Sequence, residues 1–212
     1  MRTLLPALST PLALTALVAG LATACGAEES APAAPELSDT EHNDADVAFA
    51  TEMIPHHAQA LTLVDLTAGR DLDPALTAIA DDIRAEQSPE VQTMAGWLTS
   101  WDEEVPETLR DHSNAGHGGD RPSDVMADLE AEGDTMTGMP GMLSSSQLAT
   151  LEDASDDEFA GLWVEAMIGH HEGAIDMATT ETEEGRYRPA VDLAEDIVDA
   201  QTAEIAELER LG

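Results

Sequence analysis

The sequence predicts an all-α fold: a four-helix bundle built from two copies of one helical hairpin, with a Met- and Gly-rich insertion between them. Three observations carry the prediction. Apolar residues recur at helical period along four long segments, those segments open on capping patterns, and the two halves of the chain match at an offset of 114 residues. At that offset Ile79-Ala80-Asp81-Asp82-Ile83 faces Leu193-Ala194-Glu195-Asp196-Ile197, and Gln87-x-x-Glu90-Val91 faces Gln201-x-x-Glu204-Ile205.

The first hairpin spans 46–101. Its first helix opens at Asn43-Asp44, a capping pair, and runs through Val47, Ala50, Met53, His57, Ala60 and Val64 to a stop near Gly69. Asp73-Pro74, an N-cap followed by proline at the first helical position, starts the second, whose stripe is Leu76, Ile79, Ile83, Val91, Met94 and Leu98. The second hairpin, 157–212, repeats the plan. Ser155-x-x-Glu158 is a capping box before Phe159, Trp163, Met167, His170, Ala174 and Met177, and Pro189 opens the last helix with Leu193, Ile197, Ile205 and Leu208. Neither hairpin can bury its stripes alone, so the two pack as a bundle with pseudo-twofold symmetry. With aromatics at 3% of the chain, its core is mostly Leu, Ile, Val, Ala and Met.

The insertion, 102–146, has a different character. His112 to Asp120 reads as loop, a short helix is expected over Asp124–Glu132, and Met136-x-x-Met139-x-x-Met142 follows, kept from regular helix by Gly138, Pro140 and Gly141.

Residues 1–24 read as an export signal: Arg2, an apolar run from Leu12 to Leu21, then Ala22-Thr23-Ala24 before Cys25. Cleavage before Cys25 leaves the N-terminal cysteine on which bacterial lipoproteins carry their lipid, and 25–40 is then a flexible tether to a single bundle domain over 41–212. The expected location is the extracytoplasmic face of the membrane, with free secretion the alternative, because Ala22-Thr23-Ala24 also suits an ordinary signal peptidase. Formal charge is −36 and lysine is absent, a balance that repels nucleic acid and anionic lipid and favours cations. Most of these acids read as a solvated surface.

The chemistry lies in two matching turns, Met53-x-x-His56-His57 and Met167-x-x-His170-His171. Residues at i, i+3 and i+4 share a helix face, so each copy presents a thioether and two imidazoles from one turn. That ligand set suits copper, as Cu(I) or Cu(II) according to how many sulfurs take part. Cys25 is the only cysteine, so a sulfur ligand within the domain must be methionine. Met136, Met139 and Met142 are further soft-metal candidates, since thioethers at every third residue of an irregular segment serve packing poorly. The competing readings are satisfied core histidines and gap-filling methionines. Gln87 with Glu90, and Gln201 with Glu204, are placed to hydrogen-bond the ligand histidines from a partner helix, or to sit as polar positions on a helix edge. Pro55 and Gly169 precede the histidine pairs at equivalent positions, and both weaken the helix there. They read either as a kink that aims the imidazoles or as tolerated drift.

A zinc thiolate site has no cysteines to draw on, and neither His-Glu-x-x-His nor Glu-x-x-His occurs. The expected function is therefore copper sequestration, buffering or tolerance rather than catalysis, with zinc a poorer fit. A surface interaction module with structural histidines, and a redox enzyme using the same site, are the alternatives.

These residues also carry a resemblance. Asn43-Asp44-x-Asp46-x-x-Phe49, Met53-Ile54-Pro55-His56-His57-x-Gln59-Ala60, Gly138-Met139-Pro140-Gly141-Met142, Phe159, Met167-Ile168-x-His170-His171-Glu172-x-Ala174 and the closing Gln201-x-x-Glu204-Ile205 resemble the family catalogued as domain of unknown function 305. The resemblance implies a ferritin-like helical bundle, exported or lipid-anchored in bacteria, with copper binding in some members. Gly169 departs from it, since proline is common at that place.

Overall fold

The computed structural model describes residues 35–114 and 121–212; the export segment and Cys25 lie outside them. Four long helices form the two hairpins: α1 (Asp44–Asp65) with α2 (Pro74–Ser100), and α6 (Asp156–Glu184) with α7 (Arg188–Leu211). Between them stand α3 (Leu109–Asn114), α4 (Pro122–Glu132), a 3-10 turn (Thr135–Gly138) and α5 (Ser145–Asp153). The bundle is all-α, as expected; β pairing among the described residues is confined to one isolated bridge, Ser38 with Tyr187.

Helix starts follow local chemistry. The Asn43 side chain accepts from the amides of Ala45 and Asp46, and Asp46 returns a 2.6 Å bond to the Asn43 amide. Asp73 accepts from the Ala75 amide ahead of Pro74, and Glu158 accepts from the Ser155 hydroxyl at 2.7 Å. Such caps satisfy amides that the helix leaves without partners, each worth about 1 kcal/mol. After α1, Gly69 turns the chain at φ +80°, a left-handed conformation that glycine adopts without strain.

The insertion is more helical than its sequence suggests. Residues 112–114, read as loop, close α3, and α5 is an addition to the expected elements. Its signal is present in the chain: Ser144 and Gln147 form a capping box, and Leu148 and Leu151, one turn apart, are both buried. Helix α4 begins two residues before the expected start and ends as expected, at Gly133 with φ +75°.

The core divides into two apolar clusters, and the division fixes the geometry of the site. One joins Ala60, Leu63 and Val64 of α1 to Phe159, Trp163, Val164 and Met167 of α6. The other joins Phe49, Ala50, Met53 and Ile54 of α1 to Ala174 and Ala178 of α6. The start of each helix thus packs against the end of the other, so α1 and α6 run antiparallel. Fully burying one such Leu, Ile or Phe side chain contributes about 1.5–3 kcal/mol. The Trp163 indole N–H ties the two helices by donating to the Leu63 carbonyl at 2.8 Å. At one end Arg70 lies over the Phe159 ring and donates to the carbonyls of Leu151 and Ala154.

At the opposite end the last of the expected tether is fastened down from Ser38. Its amide donates to the Arg186 carbonyl and its own carbonyl accepts from the Arg188 amide, both at 2.8 Å. Beside it, buried Asp46 accepts from the amides of Arg186 and Tyr187. Glu181, also buried, faces Asp46, and its pKa is raised to about 9, first by burial and then by the hydrogen bond and charge of Asp46. Glu181 is thus held protonated beside a carboxylate that already accepts from the amides of Asn43, Arg186 and Tyr187. Among the described residues no helix is long and apolar enough to cross a membrane.

Candidate metal centre

Between the two apolar clusters lies a layer of polar side chains. His56, His57, His170 and His171 are all buried in it, and helices α1 and α6 pass through uninterrupted despite Pro55 and Gly169. The imidazoles fall into two kinds. His56 and His170 meet where α1 crosses α6, ring centroids 3.8 Å apart and planes inclined by 39°. His57 and His171 instead point to the second helix of their own hairpins. His57 Nε2 donates to Glu90 Oε2 at 2.8 Å, and His171 Nε2 donates to Glu204 Oε2 at 2.8 Å.

The duplication detected in the sequence is therefore a duplication of hydrogen bonds as well. Of the two readings open for Glu90 and Glu204, the structure has the inward one. Gln87 and Gln201, one turn earlier on α2 and α7, are also buried; both amide atoms of Gln87 and Oε1 of Gln201 have no hydrogen-bond partner.

The insertion breaks this symmetry. Residues Met139 to Leu143 form a strap across the layer, and the Pro140 carbonyl accepts from His56 Nε2 at 2.9 Å. The strap is seated on equivalent positions of the two hairpins. Gln59 of α1 grips Leu143 twice, its amide donating to the carbonyl at 3.0 Å and its oxygen accepting from the N–H at 2.7 Å. The matching position on α6 is Gly173, where a Cβ would lie 2.1 Å from the Pro140 carbonyl oxygen. Gly141, at φ +74°, brings the strap against the Gly169 carbonyl. Sequence reasoning assigns none of Gln59, Pro140 or Gly173 to the site. The available signal is a mismatch in the repeat, a buried glutamine opposite a glycine.

Electrostatics keep the central pair neutral. Burial, then the neighbouring His57, pushes His56 down to about 3, against the pull of the Pro140 carbonyl. His170 is also driven well below the ordinary histidine value, by burial and then by His56 and His171, with the nearby His56 carbonyl opposing. Neutral imidazole is the form that binds metal.

Five ring nitrogens in the layer have no hydrogen-bond partner: Nδ1 of His56, His57 and His171, and both nitrogens of His170. A buried polar atom left so costs about 1–3 kcal/mol, so together they withdraw an amount comparable to the stability of an ordinary domain. One nitrogen of neutral His170 carries its proton, so four of the five present lone pairs, and a cation accepting these would offset part of that cost. Among the described residues no three His, Cys, Asp or Glu side chains are grouped to hold a metal ion.

The sulfurs are distributed rather than converged. Met53 is buried in one apolar cluster and Met167 in the other, on opposite sides of the histidine layer, so a single centre holding both is not what the packing favours. Met139 and Met142 of the strap pack partly buried against the Met167 cluster. Met136 lies in the 3-10 turn, with its side chain outside the described residues, as is Cys25.

An antiparallel four-helix bundle with paired imidazoles and carboxylates at mid-height is the class this fold and centre define. The chain belongs to the family described as Domain of unknown function (DUF305), whose profile matches residues 46–212. A DUF305 protein of Streptomyces coelicolor, thought to be secreted, is similar at 26% identity and TM-score 0.62, over 79% of this chain and 91% of its own. A DUF305 fragment from Deinococcus radiodurans shares the fold at 24% identity and TM-score 0.62, over 85% and 97%. CopM in its Cu(I)-bound form shares it at 22% identity and TM-score 0.57, over 78% and 93%, and CopM has also been solved with Cu(II) and Ag. No curated protein matches the chain.

Proposed function

We propose that the protein binds copper outside the cytoplasm and holds it as cargo, sequestering or buffering the ion. The observation that carries this reading is the set of five buried, unpartnered ring nitrogens in a layer of neutral histidines. His56, His57, His170 and His171 supply imidazole, and Met53, Met167, Met139 and Met142, with Met136, supply thioether. Two imidazoles and sulfur suit Cu(I), while zinc prefers a fuller set of nitrogen, thiolate and carboxylate donors. The copper-bound forms of CopM, which shares the fold, support the choice of metal. The role is binding rather than turnover, at the cell surface through a lipid on Cys25, with free secretion the alternative.

Titration of the purified protein with Cu(I) against a competing chelator tests it. Replacing all four histidines by Ala is expected to abolish high-affinity binding. Two double variants, at His56 with His170 and at His57 with His171, keep the test readable if the fourfold variant does not fold. Copper at about 100 times its dissociation constant stabilises the wild type by about 2.7 kcal/mol. Unchanged affinity in the variants would sink the proposal. A metal-free loss of stability without any copper-dependent gain would favour structural histidines instead.

A further inference from the structure

The geometry points to Glu90, Glu204 and the Pro140 carbonyl as positioning groups that fix three imidazoles with Nε2 protonated, leaving Nδ1 as the metal-binding atom of His56, His57 and His171. The donor-atom part rests on the copper reading above.

The argument is one of tautomers. A neutral imidazole has one N–H and one lone pair, and the hydrogen bond made by one nitrogen decides which the other presents. A carbonyl oxygen can only accept, so the 2.9 Å contact with Pro140 requires the proton of His56 on Nε2. The carboxylates of Glu90 and Glu204 accept in the same way from His57 and His171. In each case the remaining nitrogen, Nδ1, is buried without a partner. Three imidazoles on two helices, oriented by acceptors from α2, α7 and the strap, thus leave the same atom available.

Glu90 and Glu204 are well placed for the task. Their side chains are 18% and 12% exposed, whereas both histidine side chains are at 0%, so each carboxylate stands between the layer and solvent. A carboxylate behind a ligand histidine also makes the ring more basic, which strengthens its bond to a metal. His170 has no carboxylate behind it, and both of its nitrogens are buried without a hydrogen-bond partner.

The test begins with metal-free protein carrying ¹⁵N-labelled histidine. Long-range ¹H–¹⁵N spectra are expected to show Nε2–H tautomers for His56, His57 and His171. Addition of Cu(I), or of Ag(I) as a second probe, should then shift Nδ1 of these rings far more than Nε2. Glu90→Leu is expected to leave His57 without a fixed tautomer and to lower Cu(I) affinity by about 10–100-fold, with Glu90→Gln, whose amide oxygen can still accept, recovering the tautomer and most of the affinity. Nδ1–H tautomers in the metal-free protein overturn the positioning claim, and a metal shift centred on Nε2 overturns the choice of donor atom. So does full affinity in Glu90→Leu. If that variant does not fold, the wild-type spectra decide. A wild type with the expected tautomers that binds no copper supports the positioning claim and overturns the copper reading, so the two failures are distinguishable.

Discussion

Replacing Gly173 by Ala sets two known effects against one another at one methyl group. In an exposed helix, Gly→Ala stabilises by about 1 kcal/mol because the backbone loses freedom in the unfolded chain. Here the new Cβ would lie 2.1 Å from the Pro140 carbonyl oxygen and 2.4 Å from its carbon, backbone atoms that cannot rotate aside. Overpacking of this kind costs about 1–3 kcal/mol, so the net change runs from about zero to a loss of about 2. Gly161 is the control: it lies in the same helix, no other group comes within 4 Å of the place its Cβ would take, and its Ala variant keeps the full gain.

The two variants should therefore differ by about 1–3 kcal/mol in chemical denaturation, with Gly173→Ala the less stable. If the strap yields rather than the helix, the Pro140 carbonyl leaves His56 and the stability loss shrinks. The His56 ring nitrogens then report the change, since Nε2 has lost its acceptor. A Gly173→Ala protein as stable as Gly161→Ala, with the His56 tautomer unchanged, would refute the claim that the strap is seated on this glycine.

Three further outcomes are expected. Glu181 has a folded-state pKa of about 9 against an ordinary carboxyl value near 4.5, so its contribution to stability is complete below about pH 4.5 and is lost as pH rises through 9; Glu181→Gln, which keeps a donor for Asp46, should melt higher than wild type at pH 9, and an equal or lower melting temperature there would count against the carboxyl pair. For His56 the sign is opposite, since its folded value of about 3 lies below the ordinary 6.5: its neutral form stabilises the fold above pH 6.5 and that stability is lost as pH falls through 3. Thermal melts of wild type and His56→Leu should therefore converge on acidification between those limits. Gln59→Leu removes both bonds to Leu143 and should cost about 1–3 kcal/mol in urea unfolding, with copper affinity reduced because the strap is freed; unchanged values for both would contradict the clamp.

The hairpins are legible in the sequence because their signals are local. Capping pairs at Asn43 and Asp73, the Ser155-x-x-Glu158 box and stripes at helical period state where each long helix begins and which face is apolar, and the structure places α1, α2, α6 and α7 there. The repeat also brings His57 to Glu90 and His171 to Glu204 as candidate pairs, although helical spacing alone does not tell an inward carboxylate from one on a helix edge. The strap is not legible. Its seat depends on Gly173 of one helix and Gln59 of another meeting residues more than thirty positions from Gly173 and eighty-four from Gln59. Periodicity carries no record of such a contact. Helices α3 and α5 escape for a different reason: at 6 and 9 residues they span about two turns, too few for an apolar stripe to recur along them, although α5 does carry a capping box.

Duplication alone would have made a symmetric centre, with two equivalent histidine–glutamate pairs flanking two equivalent histidines. A strictly symmetric pair at 3.8 Å presents the same nitrogen from both rings. The strap removes that equivalence, because the Pro140 carbonyl takes Nε2 of His56 while His170 keeps both nitrogens without a hydrogen-bond partner. One ring is thus held by an acceptor on Nε2, and the other, equally buried, has no such acceptor from the strap. The same strap carries Met139 and Met142 to the Met167 side of the layer, whereas Met53, Met94 and Met177 lie on the other side. The insertion, set between two otherwise matching hairpins, is what makes a duplicated histidine layer asymmetric.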